Sequence, residues 1–477
     1  MKINTLDFDA QALREKILDL AMRGKLVSQD PNDEPASVLL EKIKAEKEQL
    51  IKDKKIKKSK PLAPITDDER PFDIPDSWEW VRLGDVNTYN SESVHPDRTP
   101  DKTFELYSVP IFPTRKPEII KGEEIRSNKQ AVETGDVLLC KINPRINRVW
   151  KVSNFTDNEN IASTEWIVVR QREITTEYLR YSLMAPYFRN LLQSNVSGVG
   201  GSLTRAKPRE VRNYVLPIPP LSEQSRIAAK IAQLFALLRK VESSTQQYAQ
   251  LQTLLKSKVL DLAMRGKLVE QDPHDEPASV LLEKIKAEKE QLVKEGKIKK
   301  SKPLPPIADD EKPFDIPDSW EWVRLGDIIE LVSGRDIAKK YHLSHKIHNA
   351  TPYITGASNI DDKGNITINE WIDNPSVVVT KGTLLLSVKG TIGKIAILQL
   401  PKAHIARQIM GIENIYNFNQ DFQKYFLESY IGELKKKAKS MIPGISRNDI
   451  ILAPFPLPSL REQSIIAKKI HKIMSLI

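Results

Sequence analysis

Cysteine is nearly absent from this sequence, and its scarcity removes two kinds of chemistry at once. Cys140 stands alone, so neither an internal disulfide nor a cysteine-built zinc site can form. It is expected as a small buried strand residue. No apolar run approaches the ~20 residues that span a bilayer. The first residues, MKINTLDFDAQ, have neither the cationic start nor the apolar core of a signal peptide, so the expected location is the cytoplasm. With 40% hydrophobic and 29% charged residues and a mean hydropathy of -0.40, the composition is that of a globular chain.

Catalytic motifs are also missing. Methyl transfer to an exocyclic amine calls for Asn/Asp-Pro-Pro-aromatic and a Gly-rich loop for the methyl donor; Asn143-Pro144-Arg145 lacks the second proline and the aromatic. KGTIGK, from Lys389 to Lys394, lacks the G-x-x-x-x-G-K-[ST] spacing of a phosphate loop. It reads instead as a strand-to-turn segment able to approach a DNA backbone closely. The histidines, including the HLSHKIH cluster, lack a carboxylate pattern that would orient metal ligands. The acidic pairs Glu123-Glu124 and Asp361-Asp362 read as loop charges. No catalytic residue, cofactor site or metal site is expected.

What is present is charge and repetition. The net charge of +10 and pI near 9.2 favour a polyanionic partner, through an attraction that is blind to sequence and weakened by salt. A length of 477 residues exceeds one ordinary domain and suggests about three units. Leu18 to Asp85 aligns with Leu260 to Asp327 at a constant offset of 242, and 60 of the 68 paired positions are identical. A looser pair, LPIPPLSEQ from Leu216 and PFPLPSLREQ from Pro454, shares Leu-x-Glu-Gln-Ser at an offset of 239. Between these blocks, Trp78 to Pro220 and Trp320 to Pro458 show little mutual similarity. The plan is constant, variable, constant, variable.

After Pro219-Pro220, apolar residues recur at Ile227, Ile231, Leu234, Leu238, Val241, Tyr248, Leu255, Val259 and Leu262, a heptad seam. With Ser222 as N-cap and Gly266 as the stop, the helix would run some 40 residues, on the order of 60 Å. The same register continues at Ile466, Ile470, Ile473 and Ile477, and at Leu13, Ile17 and Leu20. Ile477 aligns with Leu238 and Met1 with Ser243, which makes the repeat nearly circular. Both termini are therefore expected beside the middle of the central helix and antiparallel to it; separate packing of each helix onto its own globe is the alternative. Each DEPASVLLEKIKAEKEQL block predicts a second helix, with a stripe of Val38, Leu39, Ile43 and Leu50 and their counterparts. The lysine runs KDKKIKKSK and KEGKIKKSK that follow read as solvated linkers, with phosphate contact as the minor reading.

The variable stretches read as mixed β and α. Both open on DSWEWVRLGD, carry short β-rich runs (GDVLLCKI, EWIVVR, TLLLSV, GKIAILQL), and close with a helix near Glu177 to Ser194 or Asp421 to Ser440. Polar and basic residues concentrate in them. In the first, Lys141, Asn143, Arg145, Asn147 and Arg148 lie on a strand and turn, and Ser202, Thr204, Arg205, Lys207 and Arg209 follow later. In the second, Ser387, Lys389, Thr391 and Lys394, then Arg407 and Gln408, then Ser446, Arg447 and Asn448, are the counterparts. These side chains suit guanine, adenine and phosphate contacts. They are the candidate DNA-binding residues.

The EWVRLGD openings, GDVLLCK and GTLLLSVKGTIGK, PPLSEQ and PSLREQ, and AMRGKLV followed by LLEKIKAEK make the whole chain resemble the specificity subunit of type I restriction-modification enzymes. The resemblance implies an α+β chain with two mixed α/β target-recognition domains, separated by long antiparallel coiled-coil helices in a pseudo-twofold circular repeat. It divides the chain into a helical region and linker (1-77), target-recognition domain 1 (78-220), a central helical region and linker (221-319), target-recognition domain 2 (320-458) and a C-terminal helix (459-477). Each recognition domain would read one half of a bipartite asymmetric site on double-stranded DNA, and the helices would set the spacer. Two modification subunits would dock on them, carrying S-adenosylmethionine and the adenine-methylating site. Restriction subunits, where present as a pair, would carry ATP-driven translocation and Mg-dependent cleavage. The chain itself would not be an enzyme. A self-sufficient DNA methyltransferase or nuclease, and a coiled-coil scaffold that never reads DNA, are the competing readings.

Overall fold

The computed structural model describes residues 9-198, 204-414, 416-437 and 444-477. The chain divides into two compact units at Thr245-Gln246. The division falls inside one unbroken helix, Leu221–Met264. Gly266, with φ at +67°, stops it, and a Cβ there would lie 2.4 Å from Pro317. Ser222 is not its N-cap: the helix has already begun at Leu221, where Gln224 N donates to Pro220 O at 3.0 Å. In the second copy the cap is a serine two positions earlier in register, Ser459, which accepts from Glu462 N at 3.1 Å.

In unit 1 the helices Ala10–Met22 and Ala36–Lys52 bury Leu18, Ala21, Met22, Leu39 and Ile43 in one cluster with Ile227, Ile231 and Phe235 of the central helix. Arg14 pairs with Glu242, while Gln29 reaches Glu223 at 2.6 Å. The first helix thus runs antiparallel to the central one. In unit 2, Gln252 donates to Ile477 O at 2.5 Å and Gln271 to Glu462 at 2.5 Å. The closing helix Leu460–Met474 is therefore antiparallel as well. Within the units, the ends of the heptad seam are buried (Ile227, Ile231, Val259), but Val241, Tyr248 and Leu255 are more than two-fifths exposed. Met1, which aligns with Ser243, lies outside the described residues.

Each variable stretch is closed by pairing its first strand with its last. Glu79–Arg82 runs antiparallel to Val215–Ile218, and Glu321–Arg324 to Pro454–Leu457. Unit 1 then holds a five-stranded and a three-stranded sheet, and unit 2 a five-stranded and a four-stranded sheet. The β-rich runs lie where expected, at Val137–Cys140, Trp166–Val169, Leu384–Ser387 and Ile395–Ile397. Cys140 is 1% exposed; burial pushes its thiol pKa up, the opposite of an activated nucleophile.

The first closing helix differs from expectation. It is two helices, Thr176–Met184 and Pro186–Ser194. Pro186 has no N–H to continue the ladder and forces Ala185 into extended backbone (φ -64°, ψ 146°),. The second closing helix is continuous over Gln420–Lys437; the rest of the stretch to Ser440 lies outside the described residues.

Candidate nucleic-acid interface

The Leu-x-Glu-Gln repeat joins the constant frame to the variable domains. Glu223 is 1% exposed and accepts from Trp78 Nε1 at 2.9 Å and from Gln29 Nε2. Glu462 does the same with Trp320 Nε1 at 2.7 Å and Gln271. Burial holds both carboxyls above the usual range despite these donors,. The neighbouring Gln224 accepts from Thr175 N at 2.8 Å, and Gln463 from Asn419 N at 3.1 Å. Each glutamine thereby satisfies a free backbone N–H at the start of the helix that closes its recognition domain. Arg82, 4% exposed, locks the domain opening: it pairs with Glu69 at 2.7 Å and donates to the carbonyls of Ala63, Pro64 and Asn213. Arg324 repeats this with Glu311, Pro305, Pro306 and Leu452.

On this frame the candidate residues come together. In unit 1, Asn143 N donates to Thr204 O at 2.8 Å and Ala206 N to Lys141 O at 2.8 Å, so two segments some 60 residues apart in sequence lie side by side. Lys141 and Arg205 converge on Glu165, at 3.9 and 3.4 Å. Glu165 carried no signal in the sequence. It lines a concavity of about 570 Å³ together with Arg126, Lys129, Arg148 and Ser163. Arg145, Arg205, Lys207 and Arg209 are exposed. Arg148 donates to Ile142 O at 3.3 Å. Ser202 lies outside the described residues.

Two candidates serve the turn itself. Asn143 and Asn147 both take left-handed backbone, φ 49° and 48°, and bracket the short turn Pro144–Ile146. Asparagine tolerates that region better than other residues with a side chain. Asn143 is 8% exposed and its Oδ1 accepts from Arg145 Nε at 3.0 Å; Asn147 Nδ2 donates to Leu183 O at 3.0 Å. Their side chains hold Arg145 and exposed Ile146 at the tip.

In unit 2 the KGTIGK segment forms the matching turn, with Gly390 and Gly393 in left-handed backbone. Ser387 is fully buried: its hydroxyl donates to Thr391 O at 2.9 Å and accepts from Lys394 N at 2.8 Å. It shapes the turn from inside. Ile445 N donates to Val388 O at 2.9 Å and Val388 N to Gln408 O at 2.8 Å. The turn thus lies beside both other candidate segments. Lys389, Thr391, Arg407, Gln408, Ser446, Arg447 and Asn448 are exposed. Lys394 pairs with Asp362, Arg407 with Asp336 at 2.7 Å, and Arg447 donates to Leu331 O at 2.7 Å. Ser446 caps Arg447–Ile451.

His404 is fully buried, with Nδ1 accepting from Val377 N and Nε2 facing Arg335 O at 2.8 Å; desolvation keeps its pKa low. Among the described residues, no three His, Cys, Asp or Glu side chains are grouped to hold a metal, and no helix is long and apolar enough to cross a membrane. Each lysine run begins on the last residue of its helix, Lys52 or Lys294, and its remaining lysines lie in exposed chain beyond it.

Known proteins share this architecture. The chain is 34% identical to the type I restriction enzyme EcoAI specificity subunit of Escherichia coli, over 98% of this chain and 89% of that protein. It is 38% identical to the EcoEI specificity subunit of Escherichia coli, over 68% of this chain and 62% of that one. The HsdS subunit of Thermoanaerobacter tengcongensis has the same fold, with a TM-score of 0.53 at 23% identity, covering 85% of this chain and 91% of that one. A chain from a structure of a type I restriction-modification system aligns with a TM-score of 0.62 at 23% identity, over 85% and 92%. The family described as the type I restriction modification DNA specificity domain matches twice, at residues 75-252 and 317-477. With two such domains on one duplicated frame, this chain belongs to the specificity subunits of type I restriction-modification systems, the non-catalytic, DNA-recognising members of those enzymes.

Proposed function

We propose that each unit reads one half of a split, asymmetric DNA sequence, and that the length of the central helix sets the number of base pairs between the halves. Supporting this is one observation: in both units, backbone hydrogen bonds stitch a turn after a central strand to a second basic segment far away in sequence. The frames beneath are alike, while the residues displayed differ. Lys141, Arg145 and Arg205 stand in one unit, Lys389, Gln408 and Arg447 in the other. Arginine can address guanine bidentately and glutamine adenine, with lysine suited to guanine or phosphate. Unlike readers on a repeated frame yield an asymmetric site.

The repeat also offers two nearly equivalent seats for identical partners. Two modification subunits, supplying S-adenosylmethionine and adenine methylation, fit that near-symmetry, and a restricting complex would add ATP- and Mg-dependent restriction subunits. The test is to replace residues 78-220 with another such domain, express the chain with its modification subunits, and map methylated adenines across a genome. One half of the motif should change and the other stay. A change in both halves would sink the modular reading.

A further inference from the structure

The two units build the same four-stranded core but begin it on opposite edges. In unit 1 the core order is Lys129–Ala131, Glu159–Ser163, Thr103–Tyr107, Glu118–Lys121; in unit 2 it is Val378–Thr380, Lys402–Ile405, Thr351–Ile354, Glu370–Ile372. Both have a parallel central pair with antiparallel flanks. The fifth strand breaks the match. Ser93–Val94 joins beside Lys129–Ala131, whereas His342–Leu343 joins the far edge, beside Glu370–Ile372.

In unit 2 the chain reaches that far edge through a ribbon that has no counterpart among the described residues of unit 1. Residues 335-348 contain Arg335, Lys339, Lys340 and Lys346, with His342, His345 and His348, against a single acid, Asp336. The four cations are exposed. Asp336 is engaged by Arg407, and among the described residues none of the four has a carboxylate partner. Lys340 Nζ lies 4.9 Å over the ring of Tyr341, itself 57% exposed. The ribbon is nevertheless anchored: Ile337 N donates to the Tyr353 hydroxyl at 3.3 Å, His342 Nε2 bonds Ile337 O at 3.0 Å, and its Nδ1 lies 2.8 Å from a Glu370 carboxylate oxygen. The corresponding segment of unit 1, 87-102, mixes Arg98 and Lys102 with Glu92, Asp97 and Asp101, and Lys102 is paired with Glu159.

Clustered like charges repel and persist at a surface where an opposite charge compensates them. Duplex DNA offers such a charge, and neutralising its phosphates releases condensed counterions. The ribbon also begins at the candidate reading residues, since Arg335 N donates to Ile405 O at 3.0 Å and Asp336 holds Arg407.

We propose that residues 335-348 form a phosphate-gripping arm that holds duplex DNA beside the half-site read by unit 2, and that unit 1 has no equivalent. The inference rests on the DNA-reading function above. Lysines on phosphate supply affinity without sequence information, so the complex grips its two half-sites unequally.

The test uses the chain assembled with its modification subunits, binding duplexes that carry the mapped motif between about 50 and about 200 mM salt. Lys339→Ala/Lys340→Ala/Lys346→Ala is expected to weaken cognate and half-site-altered duplexes by the same factor. The slope of log affinity against log salt should become shallower by roughly two to three, with the methylated motif unchanged. Arg98→Ala/Lys102→Ala in unit 1 should shift the slope by less than about one. An unaltered slope in the triple variant, an altered motif, or an equal loss from the unit 1 variant would each overturn the arm. If the wild-type complex showed no sequence preference, the reading function would fail, while the slope difference would still judge the arm.

Discussion

The indole Nε1 of Trp78 donates to the carboxylate of Glu223 at 2.9 Å, across 145 residues of sequence. This bond fastens the opening of the first recognition domain to the start of the central helix, and Trp320 and Glu462 repeat it.

Trp78→Phe keeps most of the packing and removes the donor, leaving a buried carboxylate oxygen short of a partner. A loss of about 1–3 kcal/mol is expected, read as a lower melting temperature of the chain. The pH response has a definite sign. Burial raises the Glu223 pKa in the folded chain above its usual 4.5, so between the two values the folded form holds the extra proton. Stability from this group therefore grows as pH falls through the raised value and is lost as pH rises through it. Glu223→Gln should flatten that part of the profile; an unchanged slope there would contradict the assignment.

Arg82 and Glu69 behave oppositely. The guanidinium holds the Glu69 pKa down at about 2, so its contribution is present above the ordinary carboxylate range and is lost as pH falls toward 2. Arg82→Ala strands three carbonyls, while the Glu69 carboxylate, 37% exposed, returns to water, and a loss of about 1–3 kcal/mol is expected. Arg82→Lys cannot reproduce the fork and should recover only part of it. Denaturant titration of the two variants checks the order.

The duplication contains its own control at the end of the second helix. Lys54 has a left-handed φ of 58°, where its counterpart Gly296 has 69°. A side chain there costs about 1 kcal/mol. Lys54→Gly should stabilise unit 1 by that amount. Gly296→Lys, with no atom within 4 Å of its Cβ, should destabilise unit 2 equally, so paired thermal melts of the two variants should move in opposite directions.

Arg205 is exposed and only loosely held by Glu165 at 3.4 Å. Arg205→Ala should weaken methylation of the cognate site by roughly fivefold to a hundredfold, about 1–3 kcal/mol, and relax only the half read by unit 1. Lys389→Ala or Gln408→Ala should act on the other half. Methylation mapping distinguishes these outcomes from a uniform loss, which would assign the residue to phosphate.

Much of this was legible beforehand because it is local or repeated. Periodicity predicts the helices Ala36–Lys52 and Leu221–Met264, β-branched runs predict the strands, and 60 identities in 68 positions reveal the duplicated frame. The family follows from the same motifs, and the candidate basic segments do become neighbours. The closing helix expected near Glu177 to Ser194 is broken at Pro186, whose missing N–H ends the ladder,.

The sequence by itself determined the repeated frame, its helices and the identity of the family, since these are written in spacing between near neighbours. Only the tertiary structure decided that Ser387 faces inward, that Asn143 and Asn147 hold a turn, that Glu165 sits between Lys141 and Arg205, and that the first short strand joins opposite edges of the two sheets. Asn147, Glu165 and the edge strands depend on partners tens of residues away, and Ser387 shapes a turn whose flank, Val388, is bound to Gln408 and Ile445. Hydrogen bonding and burial at such distances are settled by the packed chain as a whole, because the same side chain is a reader when exposed and a brace when it finds a buried partner.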